Sequence, residues 1–144
     1  MSLEILKAWL EIHGPWIEKP DGTWVDEPGL NVIRAAEVML AAEGRLVTIT
    51  ALPDDREDRS PDELRLIYHW DIRGCLVNIA AGTHRLQIPS IAQLCPAADW
   101  IEREIHDYYT VEFTGREEMV PLVLRPGADP GVFRWNGYHQ EEDR

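Results

Sequence analysis

The residues best suited to chemistry lie close together between Asp99 and Asp107. Glu102 and His106 stand four positions apart, a spacing at which one helix face can hold two metal ligands. A third ligand and a second histidine on the same helix are not evident. Glu102 and Glu104 could supply the acid and base of a hydrolase, but on a helix they lie about 200° apart and cannot share one substrate atom. A small acidic hydrolase or metal-binding enzyme is therefore only the alternative interpretation, and no catalytic or metal residue is assigned.

A helix over residues 99–109 would carry these charges. Asp99 followed by Glu102 three residues later indicates a capping box, so we expect Asp99 to begin the helix. The apolar positions recur on one face, which predicts an amphipathic helix with its charges on the solvated side; these positions are Ile101, Ile105, Tyr108 and Tyr109.

Charged residues one turn apart on this helix are expected to meet. The spacing predicts contacts of Arg103 with Asp107 and of Glu102 with His106. Exposed pairs of this kind contribute only about 0–1 kcal/mol, whereas charges that are desolvated against a partner matter more. The charged run is therefore a candidate partner-binding surface.

Composition bounds the class of protein. The chain has 144 residues, which suggests one domain with a single core, and 44% of its residues are hydrophobic. Its formal net charge of −12 disfavours nucleic acid and anionic lipid as partners, and favours a partner surface with basic patches. No apolar run approaches the roughly 20 residues that span a bilayer, and no signal-peptide pattern occurs. We expect a cytoplasmic chain that reaches a membrane only indirectly.

The two cysteines, Cys75 and Cys95, are too few for an iron–sulfur cluster or a zinc knuckle built from this chain alone. Gly-rich phosphate loops and Gly-x-Ser-x-Gly motifs are also missing from the sequence. We therefore expect a chain that binds no cofactor.

Hydrophobic periodicity predicts an α+β fold with a small mixed or antiparallel sheet packed with helices. Helices are expected over residues 3–13 and from about Pro28 to Gly44. Short strands flank Pro20-Asp21-Gly22, and a longer strand covers residues 46–52. Alternating apolar residues over 64–71 and 75–81 predict an antiparallel hairpin, and residues 86–88 a further extended piece.

The C-terminal part is predicted to leave the core. Residues 119–124 are apolar and are expected to form a last short strand. Residues 126–144 are rich in Gly, Pro and charge and form an extended tail, so the single domain covers residues 1–125. The aromatic residues Phe133, Trp135 and Tyr138 in the tail are candidate anchors for a partner.

The order of residues from Trp100 to Gly115 resembles the signature of the 30 kDa subunit family of respiratory NADH dehydrogenase, complex I. That signature reads Glu-Arg-Glu, two residues, Asp, an aromatic pair, Gly, Ile, any residue, an aromatic, any residue and Gly-His-Pro. Eight positions match it, namely Glu102, Arg103, Glu104, Asp107, Tyr109, Val111, Phe113 and Gly115. Thr110 replaces the usual Gly, and Arg116-Glu117 replaces His-Pro. These departures favour a divergent member of the energy-converting [NiFe] hydrogenase or formate hydrogenlyase type.

The resemblance covers about residues 45–125 and implies a role rather than a reaction. It implies a cofactor-free structural subunit in the peripheral arm of a membrane-bound, complex I-like oxidoreductase. The implied partners are a large catalytic or quinone-site subunit and a small iron–sulfur subunit. The expected partner-binding residues are Glu102, Arg103, Glu104, Asp107, Tyr109, Phe113, Phe133 and Trp135.

Overall fold

The computed structural model describes residues 2–27, 29–54 and 63–131. It contains three helices and seven strands in those ranges. The helices are α1 (Ser2–His13), α2 (Val32–Ala41) and α3 (Ala98–Tyr109). The strands are β1 (Ile17–Lys19), β2 (Gly22–Asp26), β3 (Arg45–Pro53), β4 (Leu64–Ile72), β5 (Cys75–Gly82), β6 (Gln87–Pro89) and β7 (Glu112–Thr114). The predicted α+β class is confirmed.

A five-stranded sheet in the order β1-β2-β5-β4-β3 forms the centre of the fold. The predicted hairpin of β4 and β5 is antiparallel, and β3 pairs antiparallel with the other side of β4. The short hairpin of β1 and β2 joins the far edge, where β2 runs parallel to β5. The sheet is therefore mixed, because one parallel pair joins three antiparallel ones.

The period-two pattern of β4 sends its apolar side chains into the core. Leu66, Trp70 and Ile72 are almost completely buried, as are Val77 and Ile79 on the paired strand β5. The helices α1 and α2 contribute their apolar faces to the same cluster, through Leu6, Trp9, Leu10, Val32, Ala35, Ala36 and Met39. Burial of such side chains stabilises a fold by about 1.5–3 kcal/mol each.

The chain between the sheet and α3 forms a second, smaller unit. The strand β6 pairs parallel with β7, so the residues before and after α3 lie side by side. Between β6 and α3, the hydroxyl of Ser90 accepts the N–H of Ala92 at 3.1 Å, and the N–H of Cys95 donates to Ile91 O at 2.9 Å. This arrangement is the predicted single turn beginning at Ser90. It brings Ser90 and Ile91 against α3.

No helix within residues 2–27, 29–54 and 63–131 combines the length and the hydropathy needed to cross a bilayer.

Candidate functional site

The helix α3 begins one residue before the predicted start, and its first turn lacks a side-chain cap. The N-cap residue is Ala97, which makes no capping hydrogen bond, so the prediction that Asp99 caps the helix is wrong. Asp99 lies inside the first turn, where a negative charge still interacts favourably with the helix dipole. Its carboxylate instead accepts from Arg116 Nη2 at 2.5 Å and from Arg103 Nη1 at 3.5 Å.

The side chain of Glu102 is completely buried, which contradicts the prediction that the charged residues of α3 fill a solvated surface. Its Oε2 accepts from Ser90 Oγ at 2.6 Å and from Arg116 Nη1 at 3.0 Å, and its Oε1 accepts the N–H of Ile91 at 2.8 Å. Burial raises the pKa of Glu102, although the bonds from Ser90, Ile91 and Arg116 act in the opposite direction. The carboxylate thus connects α3 to the turn before it and to the chain after β7.

Arg116 has a guanidinium group that joins two acidic residues of α3. It contacts Glu102 and Asp99, and its side chain is only 11% exposed. Its Nε also donates to Glu118 O at 3.1 Å, which fixes the backbone that follows. Arg116 occupies the position where the resembling family carries His, so this departure from the signature adds an ion-paired clamp between α3 and the C-terminal segment, which we define as residues 116–131.

Arg103 and Asp107 continue this clamp along α3. Arg103 donates to two carbonyls of the C-terminal segment, Val120 O at 2.8 Å and Pro121 O at 3.3 Å. One turn further on, Asp107 Oδ2 accepts three backbone N–H groups, those of Leu122 at 2.8 Å, Val123 at 2.9 Å and Leu124 at 3.3 Å. The C-terminal segment therefore runs beside α3 in the same direction as the helix.

The backbone of residues 119–124 forms bends rather than the predicted last strand. Three of its N–H groups bond to one carboxylate, so they are unavailable for a strand ladder. Asp107 is almost completely buried. Burial alone would raise its pKa, but the N–H groups of Val123, Leu122 and Leu124 outweigh burial and hold the pKa of Asp107 below its ordinary value.

The predicted contacts between neighbouring turns of α3 do not form, because their members have other partners. Arg103 pairs with Asp99 rather than with Asp107. The ring of His106 bonds through Nδ1 to Val111 O at 2.9 Å rather than to Glu102. The charges of this helix therefore stabilise tertiary contacts rather than the helix alone.

The turn after α3 explains another departure from the family signature. Thr110 is the C-cap residue, with a left-handed backbone at φ 59° and ψ 21°. Glycine adopts this conformation at little cost, which accounts for the usual Gly at this position, whereas a β-branched residue is strained there. The N–H of Thr110 donates to His106 O at 2.9 Å, so the cap itself is formed.

Changing Thr110 to glycine is expected to stabilise the chain by about 1 kcal/mol, because the left-handed conformation no longer carries the strain of a side chain. Urea unfolding followed by circular dichroism measures this difference. The matched control is Thr114→Gly, in the extended strand β7, which is expected to lower stability. Equal or lower stability of Thr110→Gly would contradict the strain.

The remaining predicted partner-binding residues differ in exposure. Glu104 is exposed, Tyr109 is half-buried against the core, and Phe113 is buried within β7. Phe133 and Trp135 lie outside the described residues, as does Tyr138. Sequence reasoning missed Ser90 and Arg116 as partners of Glu102. The departure at Arg116 was the available signal, because a cation at this position needs an acidic partner when it is buried.

The acidic and histidine side chains around α3 do not converge on a metal position. Across residues 2–27, 29–54 and 63–131, no group of three His, Cys, Asp or Glu side chains is placed to hold an ion. Glu102 uses both carboxylate oxygens for Ser90, Ile91 and Arg116. The arrangement therefore fits a structural clamp, since its polar atoms already bond to one another.

Comparison with known proteins identifies the family. The family model described as "Respiratory-chain NADH dehydrogenase, 30 Kd subunit" matches residues 30–134. The C/D subunit of NADH-quinone oxidoreductase from Chromohalobacter salexigens is 28% identical over 96 residues, which are 64% of this chain and 15% of that protein. An NADH-quinone oxidoreductase subunit from Sinorhizobium medicae is 29% identical over 117 residues, which are 67% of this chain and 58% of that protein. The chain thus spans only part of these relatives.

The fold has a counterpart among solved structures. A chain of the membrane-bound sulfane sulfur reductase, described as an archaeal respiratory membrane complex, superposes with a TM-score of 0.68. The match is 23% identical and covers 97% of this chain and 89% of that one. This likeness supports the fold. With the family match over most of its length, the chain belongs to the 30 kDa subunit family of respiratory-chain NADH dehydrogenase.

Proposed function

We propose that this chain is a structural subunit in the peripheral arm of a membrane-bound, complex I-like oxidoreductase, and that it carries no redox cofactor of its own. The observation that carries the proposal is the use of the signature charges Glu102, Arg103 and Asp107. They hold the C-terminal segment on α3 through bonds within the chain, so these side chains are committed to its own structure rather than to a substrate. A scaffold subunit requires such a rigid surface, because preorganisation lowers the cost of association.

The partners proposed from the family are a large catalytic subunit and a small iron–sulfur subunit. The whole sequence contains two cysteines, fewer than the four thiolates that an ordinary cluster requires, so electron transfer is assigned to those partners. The net charge of −12 suits neighbours with basic surfaces. The chain would lie on the cytoplasmic side of the membrane and reach it only through the complex.

Two types of complex are compatible with this role, NADH–quinone oxidoreductase and energy-converting hydrogenase. The relatives matched are named for the first type. The departures at Thr110 and Arg116 favour the second, although both are accommodated within the chain, at the helix C-cap and in the clamp. A genomic neighbour with two Cys-x-x-Cys motifs in the large subunit would indicate the hydrogenase type.

Co-expression with the two neighbouring subunits tests the proposed function. We expect the three chains to elute together from a sizing column in equal amounts, and the lone chain to contain no stoichiometric iron, zinc or flavin. A monomeric chain that binds neither subunit contradicts the structural role. One metal per chain, lost in Glu102→Ala or His106→Ala, favours the alternative of a metal-binding enzyme or hydrolase.

A further inference from the structure

Trp100 is the large apolar side chain of α3 that the fold leaves in water. It is 67% exposed, although the C-terminal segment covers Asp107 further along the helix. Arg103, three residues later, holds the backbone of Val120, whose side chain is also exposed. Exposed tryptophan beside other apolar groups is typical of the central contact in a protein interface.

A cleft of about 530 Å³ opens beside Trp100. It lies between the turn before α3 and the start of the C-terminal segment, and its walls include Gln93, Pro96, Asp99, Arg116, Glu117 and Glu118. Two bonds fix these walls. Gln93 Nε2 donates to Gly115 O at 3.3 Å, and Arg116 Nε donates to Glu118 O at 3.1 Å. The cleft is therefore formed before any partner arrives.

The charge of the cleft selects the chemistry of its occupant. Arg116 is the cation in the wall, and it is already paired with Glu102 and Asp99. Glu117 and Glu118 have no ion pair within the described part of the chain, and both are exposed. Glu104, one turn after Trp100, is exposed as well. Against a net charge of −12, this rim attracts a cationic group.

We propose that the cleft beside Trp100 receives a lysine- or arginine-bearing segment of a partner subunit. The aliphatic part of that side chain would lie on the indole of Trp100, with its charge between Glu117 and Glu118. A cation over an indole face and an apolar stem along it are both favourable. This inference rests on the proposed function and adds the location and chemistry of one contact.

The test measures the dissociation constant between this full-length chain and the co-expressed pair of large and iron–sulfur subunits. Trp100→Ala is expected to weaken binding about 30-fold or more, as for a central interface tryptophan. The double variant Glu117→Lys with Glu118→Lys is expected to weaken it at least about tenfold and to reduce its dependence on salt. Thermal unfolding of each lone variant should match the wild type, because these side chains are exposed.

Matched controls separate position from composition. Trp16→Ala removes another exposed tryptophan, and Glu4→Lys with Glu11→Lys makes the same change in net charge on α1. Both controls should bind like the wild type. Wild-type binding that Trp100→Ala leaves unchanged overturns this inference alone, and loss with Trp100→Ala but not with the charge reversal overturns the assignment of a basic occupant. Failure of the wild type to bind contradicts the proposed function instead.

Discussion

Replacing Glu102 with alanine is expected to lower the free energy of unfolding by about 3–5 kcal/mol, which is the usual cost of removing one partner from a buried ion pair. The change leaves the guanidinium of Arg116, which is 11% exposed, without its buried counter-charge. It also leaves the N–H of Ile91 and the hydroxyl of Ser90 without their acceptor. Urea unfolding of the lone chain, followed by circular dichroism, measures the loss.

The control for this prediction is Glu104→Ala, two residues away on the same helix. Glu104 is exposed, so its loss should change stability by no more than about 0.5 kcal/mol. Glu102→Gln should fall between the two, because an amide can still accept from Ile91 but cannot pair with the charge of Arg116. Equal stability of the two alanine variants would show that the buried clamp contributes nothing.

The second large effect is expected from Asp107→Ala, which removes the acceptor of three backbone N–H groups at 2.8, 2.9 and 3.3 Å. Bonds to a charged group contribute about 1.5–3 kcal/mol each, but they are not additive here because they share one oxygen. We expect a loss of about 2–3 kcal/mol, concentrated in the C-terminal segment. Hydrogen exchange at Leu122 and Val123 should accelerate more than exchange in β4.

Asp129→Ala is the matched control, since Asp129 is an exposed acid on the same segment. Its exchange rates should equal those of the wild type. Asp107→Ala should also weaken binding to the large subunit, because the segment it releases forms one wall of the cleft beside Trp100. Unchanged exchange at Leu122 in Asp107→Ala would mean that other contacts hold the segment.

The pKa of Asp107 gives this prediction a pH arm. Because the folded-state pKa lies below the unfolded value of about 3.9, the stabilisation is fully present above that value and is lost as pH falls through the folded pKa. The stability difference between the wild type and Asp107→Asn should therefore be constant from about pH 5 to 7 and shrink below about pH 4. A difference that grows towards acid pH would contradict the lowered pKa.

Elements whose signal is local were predictable from the sequence. The alternation in β4 and β5 predicted their hairpin because each side chain repeats the same in–out choice along a strand. The apolar face of α3 was predictable for the same reason at a period of 3.6 residues. The parallel pairing of β2 with β5 had no such signal, because it joins segments that are far apart in the chain.

The candidate site was harder to predict because its partners are distant in sequence. Glu102 looks like a surface residue by type, and only Ser90, 12 residues before it, and Arg116, 14 residues after it, make burial tolerable. Residues 119–124 have strand-like composition, but no pattern announces that their N–H groups bond to Asp107. The signature identified the family without showing that its charges act inside the chain.

The most direct test of the proposed role is purification of this chain, carrying an affinity tag, from detergent-solubilised membranes of its own cells. The proposal predicts recovery with equal amounts of a large catalytic subunit and an iron–sulfur subunit, together with the redox activity of the complex. Asp107→Ala should reduce this recovery, and Asp129→Ala should not. Recovery of the wild-type chain alone, with no oxidoreductase subunit bound, would contradict the proposal.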